Sequence, residues 1–304
     1  MTCFFHDVNH LNPLLIGREG MDQNAQYQMI PFGDRRKVGF QCFADEPDDV
    51  IISPTQVGSR SFISSFTTVG GAPAIETNLG LVVKPNSAVE MVLEGRTVGR
   101  AAFEARRNTD GKLLISLMVS VKPKRPLTYQ LCVLSDPLVR LDPAVVSPNL
   151  IANMLGAEPI WFKAAHVELT RIGPVVDVQT SLEIGDKTKP THPIVLDPVK
   201  VAEIIRATNA SAGIQRADIH MYAAWDLRVS VKDDTVGLGD KVTHMGFIES
   251  HLSGSFGSVV AAHEVGHILK LDHPDPLGGD PSLLMDGFGQ DRLRMFEIET
   301  ANPK

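Results

Sequence analysis

The sequence predicts an all-β sandwich followed by an α+β domain, and three observations carry that prediction. Before residue 125, short extended runs alternate with turn-forming residues. The stretch Lys122-Pro123-Lys124-Arg125-Pro126 then interrupts the pattern with two prolines amid positive charge. Beyond it, strand-like and helix-like apolar periods alternate. At 304 residues the chain is long for one core and comfortable for two.

Residues 1–36 are poorly periodic and read as an N-terminal segment, in which His6 and His10 suggest a surface turn. The β domain is expected over 37–121. Ala88 to Leu93, Ala101 to Ala105 and Leu113 to Val121 are its clearest strands, and Asn108-Thr109-Asp110-Gly111 between the last two has hairpin-turn chemistry. Gly70-Gly71 and Lys84-Pro85-Asn86-Ser87 add further turns. Residues 122–126 read as a stiff, solvated linker.

The second domain is expected over 127–304. Leu127 to Leu134 and Ile160 to Thr170 read as strands and Pro143 to Leu155 as a helix. A second helix, Pro198 to Ala212, is opened by Asp197 with proline in its first turn. Ala217 to Val229 alternates as a strand, Asp233-Asp234 and Gly237 to Asp240 read as a solvent loop, and Thr243 to Ser250 reads as an edge strand. A helix follows, with Ser255 or Ser258 as its cap and Pro274 barring its continuation, and Arg292 to Glu299 forms a closing helix.

The helix after the edge strand carries His263-Glu264-Val265-Gly266-His267, and His273 lies just beyond. Positions four apart share a helix face, so His263 and His267 can direct their imidazoles at one ion while Glu264 reaches a water on it. Zinc suits neutral imidazole, and a catalytic zinc takes three protein ligands and leaves its fourth position open. Chance produces such a five-residue pattern in a chain of this length on the order of 1 % of the time, so a zinc site is the better reading. His263, His267 and His273 are the expected ligands, with Asp272 as a fallback third, and Glu264 is the expected general base.

His263 to His273 resembles the extended zinc motif of metzincin metalloproteases, and Ser282-Leu283-Leu284-Met285-Asp286-Gly287 resembles their Met-turn. Lys270 stands where that family has a glycine, a position whose left-handed turn costs a residue with a Cβ about 1–2 kcal/mol. The resemblance implies a zincin-like catalytic domain, a zinc cofactor, peptide-bond hydrolysis, Met285 beneath the metal, and a substrate lying antiparallel to the edge strand. Some metzincins add a tyrosine after the methionine; here the three tyrosines are Tyr27, Tyr129 and Tyr222. Residues Gly80 to Val121 are similar to bacterial immunoglobulin-like domains.

A net charge of −7 offers no broad basic surface for nucleic acid, and no apolar run reaches the roughly 20 residues of a membrane span. Cys3, Cys42 and Cys132 are too few and too scattered for a disulfide scaffold and read as buried free thiols; Cys3 is also weighed as a switch on the zinc. The remaining histidines, His166, His192, His220, His244 and His251, read as structural. The first residues lack an export leader, which suggests a bacterial effector or toxin secreted or delivered without a cleaved signal, with the cytoplasm as alternative. Partners would be a protein or peptide substrate, and a secretion machine or inhibitor protein. A zinc hydrolase of cell-wall peptides and a non-catalytic binding protein with a structural zinc are the alternative functions.

Overall fold

The fold comes from a computed structural model, which describes residues 3–7, 21–22, 26–43, 46–55, 74–77, 80–230, 233–273, 283–286 and 293–303. His10, the Gly70-Gly71 turn, Pro274 and the ends of the expected Met-turn, Ser282 and Gly287, lie outside these residues. Among them the chain is mixed α+β and mostly sheet, with four helices, none long and apolar enough to cross a membrane. It divides into two compact units, Met1–Arg125 with Lys163–His166 and Arg292–Lys304, and Pro126–Phe162 with Val167–Asp291.

The first unit holds β1 (Cys3–Asp7), β2 (Met21–Asp22), β3 (Tyr27–Pro31), β4 (Arg35–Cys42), β5 (Val50–Pro54), β6 (Ala74–Thr77), β7 (Gly80–Val83), β8 (Ala88–Glu94), β9 (Gly99–Arg107) and β10 (Leu113–Lys122). A three-stranded sheet, β1-β4-β8, and a seven-stranded one, β2-β3-β10-β9-β5-β7-β6, share one apolar core. Pleating explains the sharing: Val89, Met91 and Leu93 of β8 turn inward at every second position, and Leu117, Val119 and Val121 of β10 do the same. The hairpin expected at Asn108–Gly111 is formed, with Arg107 N–H on the Lys112 carbonyl at 2.9 Å and Gly111 at φ +67°. Residues 3–7 and 27–31, which the sequence leaves outside the sandwich, supply strands to both sheets, and His6 lies in β1 opposite Gly39, not in a surface turn.

The solvated linker is also corrected. β10 runs to Lys122 and the next strand starts at Arg125, so only Pro123 and Lys124 connect them. Lys122 is buried, and its Nζ meets Glu299 Oε2 at 2.5 Å. Tyr27 and Arg100 donate to the same carboxylate at 2.7 Å each, and Asn302 Nδ2 donates to the Pro123 carbonyl at 2.9 Å. These bonds give the tail, Arg292–Lys304, to the first unit, whereas the sequence assigns it to the second domain.

β11 (Arg125–Ser135) and α1 (Pro143–Ala165) lie in the second unit but for Arg125 and the last turn of the helix. The strand expected from Ile160 starts only after this helix, because Val146, Leu150, Met154, Ala157, Trp161 and Ala165 continue one buried helical face past Leu155. β12 (Val167–Arg171), β13 (Val176–Gln179), β14 (Ile194–Val195) and α2 (Pro198–Ala210) follow. Asp197 caps α2 by accepting from the Val199 and Lys200 N–H groups, both at 2.9 Å. The alternating run from Ala217 breaks at Trp225-Asp226 into β15 (Ile219–Ala224) and β16 (Leu227–Ser230). β17 (Asp233–Thr235), β18 (Gly237–Asp240), β19 (Met245–Glu249) and α3 (Gly254–Ile268) complete the unit, and α4 (Met295–Ala301) lies in the tail.

The main sheet of this unit runs β12-β11-β15-β19-β18, with β13 also paired to β11. β11, β15 and β19 are parallel, and β18 closes the edge antiparallel to β19. The edge is therefore Gly237–Asp240, read from sequence as loop, while the expected edge strand, β19, is interior. Tyr222 and Phe247 stack at 5.0 Å in a core that also takes in Ile204 and Ala207 of α2. Their neighbours Met221 and Gly246 point to the other face, where α3 brings Ile268.

Candidate metal centre

α3 is held so closely that five glycines become necessary. A Cβ at Gly257 would strike Asn153 of α1, and one at Gly156 of α1 would strike Ser258. On the sheet side, a Cβ at Gly237 would meet the Glu264 carboxylate, and one at Gly239 the Glu264 carbonyl and the His267 Cβ. Gly266 does the same for the Met285 sulfur. Trp161 Nε1 donates to the Ala262 carbonyl at 3.0 Å, fixing the middle of the helix. The expected serine caps are not used: Ser253 occupies the N-cap position without a side-chain bond, and Ser258 Oγ donates back to the Gly254 carbonyl.

At its other end α3 turns sharply. Leu271 N–H reaches the Gly266 carbonyl at 3.0 Å and Lys270 N–H the His267 carbonyl at 2.9 Å, the paired bonds of a Schellman motif. Lys270 takes the left-handed position with φ +72°, as the extended motif requires of that residue. This turn brings His273 back over the helix.

The three histidines converge. His263 and His267 Nε2 are 3.1 Å apart, His263 and His273 Nε2 3.0 Å, and His267 and His273 Nε2 2.9 Å. Two tautomers follow from the partners of the other ring nitrogens. His263 Nδ1 lies 2.6 Å from the Leu284 carbonyl and His267 Nδ1 lies 2.8 Å from the Leu271 carbonyl. A carbonyl only accepts, so both Nδ1 atoms carry the proton, and each neutral ring presents a bare Nε2 lone pair to the cluster. Burial pushes His263 down to about 4 and lowers His267 as well, which keeps the rings neutral at ordinary pH.

Lone pairs aimed at one another repel unless a cation sits among them. Nitrogens bound about 2.0–2.1 Å from a tetrahedral zinc stand about 3.3 Å apart, close to the observed triangle, so the donor set fits such an ion. Among the described residues this is the one such cluster of histidine, cysteine or carboxylate side chains, and no fourth side chain joins it. His263 is buried, His267 half-buried and His273 exposed, so the cluster faces solvent on one side. Asp272 stays out of it, exposed and 3.3 Å from Lys241.

Glu264 lies under the edge strand, 5 % exposed, against Gly237 and Gly239. Burial pushes its carboxyl up to about 8, against one hydrogen bond from the Gly239 N–H. Its Oε2 is buried with no hydrogen-bond partner among the described residues. Met285 is fully buried against Gly266, and the turn around it supplies the Leu284 carbonyl that orients His263.

No family model matches the chain, and no curated protein matches it. The residues themselves therefore carry the functional argument.

The other histidines are scattered. His166 Nδ1 pairs with the Lys122 carbonyl, His220 Nε2 with the Gln215 carbonyl and His251 with Glu249. The tyrosines are occupied too, Tyr27 by Glu299, Tyr129 by Glu158 and Tyr222 by Thr208. The orienting carbonyls of Leu271 and Leu284 escape sequence reading because backbone atoms leave no residue signature. Gly237 and Gly239 did leave one, a Gly-x-Gly spacing with every second residue toward the helix, but glycine there reads first as loop.

Proposed function

We propose that the protein is a zinc-dependent endopeptidase of metzincin type. The observation that carries this is the convergence of three Nε2 atoms beside a buried carboxylate with an unpartnered oxygen. His263, His267 and His273 would hold the ion. Zinc there supplies a Lewis acid for the scissile carbonyl and lowers the pKa of water to about 7.

Glu264 takes a proton from the attacking water at Oε2 and returns it to the leaving amine. The unpartnered Oε2 is the acceptor for that proton. The Leu284 and Leu271 carbonyls keep His263 and His267 in the ligating tautomer. Among the described residues β18 is the edge strand of its sheet, beside Glu264, and an extended peptide substrate would add along it as a further strand.

The Schellman turn at Lys270 and Met285 beneath α3 support the metzincin assignment. The sandwich, similar to immunoglobulin-like modules in having two sheets around one core, would place the enzyme on a substrate or a delivery machine. A purely structural zinc is disfavoured, since a structural site closes with a fourth protein ligand and needs no carboxylate acid or base. The test is elemental analysis of the full chain purified without added zinc, beside a peptide-library cleavage assay with and without chelator. About one zinc per chain and chelator-sensitive cleavage are expected; protein without zinc would overturn the reading.

A further inference from the structure

Cys3 and Cys42 are directly opposite each other across the antiparallel pair β1/β4, 39 positions apart in sequence. Antiparallel neighbours alternate between hydrogen-bonded and non-hydrogen-bonded pairs, and the bonds on either side show which kind this is. Phe5 N–H and C=O both turn away from β4 to the Gln26 side-chain amide, at 3.0 and 3.2 Å. Two residues earlier, Cys3 has the same orientation. From the other strand, Cys42 N–H also turns away, to the Ser87 carbonyl at 2.9 Å. The cysteines therefore form a non-hydrogen-bonded pair, in which side chains approach most closely and Cα atoms stand about 4.5 Å apart, inside the range a disulfide spans. Their sulfurs are 2.7 Å apart in the sandwich core.

We propose that Cys3 and Cys42 are a disulfide-forming pair that fastens the edge strand β1 to the first unit, and that a small-molecule disulfide is the oxidant. One thiolate attacks a sulfur of the reagent, forming a mixed disulfide and releasing the first small thiolate. The second cysteine then attacks the protein-side sulfur and releases the other. Two protein S–H bonds are replaced by one S–S bond, and the reagent is reduced to two thiols. Both cysteines are 1 % exposed, so exchange takes place before β1 docks or while it is lifted from β4; among the described residues β1 pairs within its sheet with β4 alone, and it also bonds to the Gln26 side chain. Cys132 lies buried in the other unit and serves as the control for which no partner cysteine is at hand.

The test refolds the full chain from denaturant in excess oxidised glutathione, alkylates it under denaturing conditions and maps the peptides by mass. The expected product joins the Cys3 and Cys42 peptides, roughly 2 Da below the summed thiols, with Cys132 joined to neither. Closing a loop of this length should raise the thermal midpoint of the oxidised chain by roughly 10 °C over the reduced one. Cys42→Ser should abolish that rise and Cys132→Ser keep it. Alkylation of both Cys3 and Cys42 after oxidative refolding, or a link from either to Cys132, would overturn the pairing, and a joined pair with no thermal shift would overturn the fastening role.

Discussion

Glu299 in the first unit is partly buried and Glu264 in the second almost wholly so, and their surroundings do opposite things to them. Burial raises the Glu299 carboxyl, and hydrogen bonds from Lys122, Tyr27 and Arg100 outweigh it, bringing it down to about 2. Burial also raises Glu264, to about 8, and only one backbone N–H opposes it. The first arrangement is what stability selects: a charge paired by charge. The second leaves an acceptor unpaired at a cost of about 1–3 kcal/mol, which folding alone gives no reason to keep. A buried acceptor left unpaired beside three converging imidazoles is what the proposed chemistry would use.

The sharpest way to break this comparison is at the histidines. His267→Ala removes one of three ligands and the partner of the Leu271 carbonyl; zinc content should fall toward zero and turnover by at least about 1,000-fold. Retained zinc by elemental analysis would mean that the triangle is not the metal site. Glu264→Gln comes next. It keeps the shape and removes the ionisable acceptor, so turnover should fall about 100-fold or more while zinc stays bound. The thermal midpoint should not drop, because an amide is easier to bury than a carboxylate. Full activity in this variant would end the case for Glu264 as the base.

Glu299→Gln should behave the other way round. Lys122 is left buried without its counter-charge, and the first unit should lose about 2 kcal/mol with turnover per folded molecule unchanged. The pH dependence has a definite sign. Glu299 has a folded pKa below its ordinary value of 4.5, so its stabilisation is fully present above that pH and is lost as pH falls toward about 2. Denaturant midpoints measured from pH 6 to pH 2 should fall less steeply in the variant than in the parent. Equal slopes would show that the cluster contributes nothing to acid sensitivity.

The same contrast governs what was legible in the sequence. The three clustered histidines and Glu264 could be read because they depend on residue type at fixed spacing, Met285 could be read only through the resemblance, and the Asp197-Pro198 helix start and the Asn108–Gly111 hairpin depend on local backbone chemistry. What could not be read depends on distant partners. Gly237–Asp240 has weak strand propensity and becomes a strand because β19 pairs with it and α3 requires glycine against it. The tail reads as part of the domain preceding it in sequence until Glu299 is seen with Tyr27, Arg100 and Lys122. The end of α1 was missed for a different reason: Pro159 and the β-forming run Ile160-Trp161-Phe162 mask a helical period that extends to Ala165.

The mildest test concerns Lys270, where the metzincin resemblance departs at one residue. Its φ of +72° costs a residue with a Cβ about 1–2 kcal/mol. Glycine there would remove that strain but add about 0.5–1 kcal/mol of chain entropy to the unfolded state. The difference favours glycine, so Lys270→Gly should stabilise the second unit by roughly 0.5–1 kcal/mol, read as a small rise in denaturant midpoint at unchanged slope. Zinc content and turnover should stay as they are, because the turn is already formed with lysine and His273 is already in place. A variant that gained activity as well would show that lysine holds His273 short of its best position. A destabilised one would show that the Lys270 side chain makes a compensating contact worth more than the strain it imposes.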